Sequence, residues 1–132
     1  MIVILIIGVL VAISIPVYQY YVSKSQVIAA IAELNGAKPQ YELIINGGSA
    51  SSSNSLTVTN LFFSGTQSNI CIYSVNPPDS TGNANGALTC KLQNVSSGLE
   101  GQYIYLNRSK QGDWQCSTSS GVSASYKQPG CI

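Results

Sequence analysis

The sequence predicts an α+β fold: a long N-terminal helix packed on a small antiparallel β-sheet head with a disulfide-bounded C-terminal loop. Three observations carry this. From Met1 to Ser23 no side chain is charged and the run is almost uniformly apolar. From Lys24 to Asn46 the pattern becomes one-faced at the helical period, with Val27, Ile31, Leu34, Tyr41 and Ile45 on one stripe. Beyond Gly47, short apolar runs alternate with Gly, Asn and Pro clusters, and this region holds all four cysteines. The chain therefore divides into a hydrophobic helix half (1–23), an amphipathic half expected to pack on the head (24–46), and the head itself (47–132).

The first segment is long enough, at about 1.5 Å per residue, to cross a hydrocarbon layer of about 30 Å. A secretory signal would need a basic start and a small-x-small cleavage site, and neither is present. Tyr18, Tyr20 and Tyr21, followed by Lys24, match an interfacial aromatic belt with a snorkelling lysine. Two residues weaken the helix locally. Pro16 has no backbone N–H to donate, and Gly8 is the poorest helix former after proline, so the backbone between them bends or unwinds most easily. Gly36 and Pro39 form a second weak pair. Asn46-Gly47-Gly48 is the stop signal.

In the head, residues 49–55 (SASSSNS) form a polar connector with nothing to build a core from, and an exported serine-rich segment of this kind could carry a surface glycan. Four strands are expected, at 56–63, 70–75, 87–93 and 102–107, with the turn-rich stretch 76–86 as the loop of a hairpin. Four cysteines allow three pairings. Sequential bridges, Cys71–Cys90 across the hairpin arms and Cys116–Cys131 around the terminal loop, each staple a segment otherwise poorly held. Crossed pairing stays open. A closed loop of the second size contributes about 3 kcal/mol in the chain-entropy picture.

Enzymatic chemistry finds no footing. The chain lacks His, the usual general base, and Glu33, Glu42, Asp79, Glu100 and Asp113 are scattered singly. No metal or cofactor is expected, since no Cys pair has short ligand spacing. With 8% charged residues and a net charge of +1, no basic patch suggests a specific nucleic-acid site. The five lysines read as solvated charges. Trp114 reads as packed against the neighbouring disulfide, and the sequons at Asn94 and Asn107 are weak signals.

The segment MIVILIIGVLVAISIPVYQYYVSKSQV resembles the N-terminus of bacterial type IV pilins: an apolar run carrying Gly8, then Ile15-Pro16 and Tyr18, then the polar Ser23 to Gln26. A weaker likeness lies in Arg108, Gly112 to Cys116 and Cys131, similar to the disulfide-bounded loop that ends many major pilins. The resemblance implies a major pilin subunit held in the inner membrane, processed and methylated by a prepilin peptidase, and polymerised helix-inward by pilus assembly machinery into an extracellular homo-polymer. Adhesion, twitching motility or DNA uptake would be its use. It further implies a filament core built from Ile2, Ile4, Leu5, Ile6, Val9, Leu10, Ile13, Val17 and Tyr18, with the helix unwound between Gly8 and Pro16. Family chains begin a few residues earlier, with a methylated Phe and a Glu, so the resemblance places Met1 inside the apolar run. The alternatives are a minor pilin or type II secretion pseudopilin and, from another class, a single-span membrane-tethered binding module.

Overall fold

The computed structural model describes residues 1–47, 56–62 and 65–132. Helix α1 runs unbroken over Ile2–Asn46, through both Pro16 and Pro39. Its two halves live in different surroundings. The first is bare, whereas the second buries Ser23, Val27, Ala30, Ile31, Leu34, Ala37 and Tyr41. Apart from Ile31, these recur at alternating steps of four and three, which keeps one narrow stripe on the sheet. Ala30 and Ala37 fill stripe positions that a search for large apolar residues passes over, and their small side chains let the helix backbone lie close. Ile45 packs half-buried at the rim of the same cluster. The helix ends at Gly47, as the stop signal predicted, but φ there is −76°, so the stop uses no left-handed conformation; its N–H bonds to the Leu43 carbonyl at 2.9 Å.

The strand expected at 56–63 is instead a one-turn helix, α2 (Val58–Leu61). Thr57 caps it, its hydroxyl accepting from the Asn60 N–H at 3.3 Å, a local bond that competes with strand pairing. The turn delivers Leu61 and Phe62 to the core, where the Phe62 ring stacks on Tyr73 at 3.8 Å between centroids. The serine-rich connector 49–55 lies outside the described residues.

The sheet is a four-stranded antiparallel meander, β1 (Cys71–Val75), β2 (Ala84–Leu92), β3 (Tyr103–Arg108) and β4 (Trp114–Thr118), in that order across the sheet. Two expectations fail here. The hairpin loop is shorter, because β2 already starts at Ala84. A shift of register between Ala84 and Leu88 lets Gly86, at φ 62°, bend the strand without leaving it. The fourth strand was expected to be the last, whereas Trp114–Thr118 adds a further edge strand that runs into the terminal loop.

Cys90, Leu88 and Leu92 on β2, Ile104 and Leu106 on β3, and Cys71 and Tyr73 on β1 face α1 and form the core with its stripe. Cys71 and Cys90 are fully buried and bridged across β1 and β2, with 5.1 Å between their Cα atoms. Cys116 and Cys131 close the terminal loop, which carries a single 3₁₀ turn at Ala124–Tyr126.

Leu34 is wholly buried at the centre of the stripe, whereas Gly36, two residues on, has open space where a Cβ would go. Leu34→Ala is therefore expected to cost about 2–5 kcal/mol. Gly36→Ala should add about 0.5–1 kcal/mol, because a helix-interior glycine loses more backbone entropy than alanine. Urea unfolding of the detergent-solubilised chain followed by Trp114 fluorescence measures both, and equal midpoints would contradict this account of the packing.

Candidate assembly surface

The nine side chains named for the filament core are each more than half exposed in the subunit; Leu10, for example, is 61% exposed. Soluble monomers rarely leave contiguous apolar patches larger than a few hundred Å², and here a whole helix half is bare. By length and composition this helix could cross a membrane. A shallow apolar groove of about 540 Å³ runs along Leu10, Ile13, Val17, Tyr18 and Tyr21. The serine hydroxyl in it is already satisfied, since Ser14 donates to the Val11 carbonyl at 3.1 Å. Such a surface can lie equally well in lipid or against another apolar helix. The helix is intact through both Gly8 and Pro16, and beyond the local helix backbone nothing lies within 4 Å of where a Gly8 Cβ would sit.

Above this bare half, polar contacts clasp the helix to the head. Tyr20 donates its hydroxyl to the Ser125 carbonyl at 3.2 Å. The Ser23 and Ser96 hydroxyls share a hydrogen bond of 2.8 Å, and the Gln26 carbonyl oxygen accepts from the Ser96 N–H at 3.1 Å. Higher up, the Glu33 carboxylate accepts from the hydroxyls of Ser68 and Tyr73, both at 2.7 Å. Burial first, and then the hydrogen bond to Glu33 and its charge, raise the Tyr73 pKa against the lowering effect of Ser68, so the phenol stays protonated and keeps donating.

The strongest attachment is near the top. Glu42 takes Arg108 on both its oxygens, from Nε at 2.6 Å and from the guanidinium NH2 at 3.1 Å, and also accepts from the Trp114 indole N–H at 3.0 Å. This two-point, charge-assisted geometry is the strong form of the ion pair. The Arg108 hydrogen bonds hold the Glu42 carboxyl below its ordinary pKa. The Trp114 ring meets Tyr41 edge-on at 5.3 Å and lies under the Lys38 ammonium at 5.5 Å. Trp114 thus packs on the helix and not simply beside a disulfide. Tyr41 donates to the Asn76 carbonyl at 2.8 Å, and burial pushes its pKa up to about 12.

Sequence reasoning missed this knot because Glu42 and Arg108 sit 66 residues apart and read as isolated charges. The available signal was weak: the chain's one arginine falls in the run of the C-terminal likeness. Among the described residues no group of His, Cys, Asp or Glu could hold a metal.

A bare apolar rod clasped to a disulfide-stapled meander has a counterpart among known proteins. The profile of the pilin family, described as bacterial filament proteins, matches residues 23–132. The chain belongs to the pilin family. Two type IV major fimbrial proteins of Dichelobacter nodosus are similar to this pilin, at 29% and 30% identity. The alignments cover 99% of this chain in both cases, and 90% and 89% of those relatives. A type IV major alpha-pilin of Moraxella bovis is 29% identical over the whole of this chain and 91% of its own length. The molecule is thus a structural subunit of a bacterial filament and not an enzyme, and an extracellular pilus is where this family's subunits act.

The Glu42 knot makes a pH prediction. Its folded-state pKa is depressed, so its stabilisation is fully present above the ordinary glutamate pKa near 4.5 and is lost as pH falls through the lower folded value. Glu42→Gln should lower stability by about 1–3 kcal/mol at neutral pH, by leaving the mostly buried Arg108 without its counter-charge. The deficit should shrink below pH 4.5. Thermal melts of both proteins across that range measure it, and a gap constant with pH would contradict the assignment.

Proposed function

We propose that the chain is the major subunit of a type IV pilus, stored in the inner membrane and then polymerised through the bare half of α1. One observation carries the reading: the surface from Ile2 to Val17 is apolar all round but for Ser14, and every residue of it is exposed. Lipid and neighbouring helices are the two surroundings that satisfy such a surface, because the backbone is bonded within the helix except at its first turn and at the carbonyl that Pro16 leaves without a donor. In the assembled state Ile2, Ile4, Leu5, Ile6, Val9, Leu10, Ile13, Val17 and Tyr18 would pack against copies of themselves. The heads, clasped at Tyr20, Ser23 and Glu42, would form the outer wall.

A prepilin peptidase, assembly machinery and a surface glycan on the serine-rich connector are the partners this reading proposes; adhesion, twitching motility or DNA uptake would be its uses. Residues Gly8 and Pro16 bound the stretch where the chain can lengthen. Extension there costs least because Pro16 removes one helix hydrogen bond and Gly8 is the poorest helix former after proline. The Cys71–Cys90 and Cys116–Cys131 bridges would keep the head folded outside the cell.

Electron microscopy of material sheared from cells tests the proposal. Wild type should yield thin fibres made of this chain, and Val9→Asp should abolish them while leaving a folded head, because a buried carboxylate in the core has no partner. Absence of fibres from wild type, with only monomers in detergent, would point to a membrane-tethered module. Pro16→Leu should strengthen the subunit's helix yet reduce filament yield or alter symmetry; unchanged filaments would show that no local stretching is needed.

A further inference from the structure

The underside of the head meets the bare helix at a collar of tyrosines with two sources. Tyr18, Tyr20 and Tyr21 come from α1, whereas Tyr126 comes from the disulfide-bounded loop more than a hundred residues later. The Tyr20 and Tyr126 rings are 5.7 Å apart, and the neighbouring Ser125 carbonyl takes the Tyr20 hydroxyl. Lys24 holds its ammonium 5.9 Å from the Tyr20 ring, and Lys127 directly follows Tyr126. A cleft of about 420 Å³ opens beside the collar between Tyr18, Gln19, Val22, Ser96, Leu99 and Tyr126, so hydroxyl and amide groups stand among apolar ones at the helix exit. The nearby carboxylate, Glu100, is turned to the Val95 N–H at 3.2 Å.

Below the collar, Ile2–Val17 supplies about 24 Å of uncharged helix. Tyrosines with an apolar ring and a wet hydroxyl gather at the headgroup level of a bilayer, and lysines near helix ends reach the same layer. Anionic lipid attracts such cations. We propose that the 124–127 turn of the C-terminal loop is a foot, resting in the headgroup layer of an anionic bilayer while the subunit awaits assembly. The inference rests on the reading that the first half of α1 spans the membrane. It gives the loop a role before the filament exists: with α1 it makes a two-point stance that fixes the tilt of the head on the membrane.

The test uses the full chain in vesicles of phosphatidylcholine and phosphatidylglycerol whose acyl chains are brominated near the headgroup. Tyr126→Trp and, at the exposed neighbouring position, Ala124→Trp each place an emitter on the foot. Trp114, packed high on α1 beside Tyr41, serves as the distant reference, and Tyr18→Trp reports on the span itself. Both foot variants should lose emission that wild type retains, equally at low and high protein density. The loss should diminish when phosphatidylglycerol is replaced by phosphatidylcholine, or when Lys24→Glu and Lys127→Glu are combined. Quenching at Tyr18→Trp with none at either foot position overturns the foot and leaves the span standing. No quenching at Tyr18→Trp overturns the span as well. Foot quenching that changes with protein density means a second copy occupies the cleft, and that also overturns the proposal, as does indifference to lipid charge and to both lysine substitutions.

Discussion

Everything in this subunit depends on one mismatch of length. The helix has 45 residues, about 68 Å, and a meander whose longest strand has nine residues can cover only part of it. The core therefore stops near Ser23, and an apolar surface larger than the head can bury is left over. That surface is stable only in an apolar medium or a crowd of identical helices. The absence of charge from the bare half follows from the same constraint, since a charge placed there would be stranded in either setting.

The head answers with attachments placed along the helix instead of a wider core. Small residues, Ala30 and Ala37, bring the backbone close at mid-height, and polar contacts hold both ends. Such contacts contribute modest energy singly, but they fix orientation, which a smooth apolar stripe alone leaves free to slide or roll. The Phe62 and Tyr73 stack, reached through a capped turn rather than a strand, closes the remaining side of the core.

Much of this was legible in the sequence. The long helix, the change of pattern at Lys24, and the stripe of Val27, Ile31, Leu34 and Tyr41 follow from periodicity, which tertiary context seldom overrides in long segments. What periodicity could not reveal lay where local bonds or distant partners decide. Thr57 capping turned an apolar run into a helical turn. Gly86 let β2 begin inside a stretch rich in turn residues, and Trp114–Thr118 became a strand because β3 offered it an edge. The Glu42, Arg108 and Trp114 cluster was invisible because charge pairing across 66 residues leaves no local pattern.

The spacing of the clasps has a mechanical consequence. Tyr20 and Glu42 are about 33 Å apart along α1, and the sheet lies against the helix between them as a splint. A pull along the axis therefore finds the upper half braced by strands, a disulfide and an ion pair, while the lower half has only its own ladder of backbone bonds. In the polymer proposed above, stretch would be confined to the unsplinted length. The heads would then move apart as rigid beads on an extensible cord, each keeping its shape while the cord lengthens beneath it.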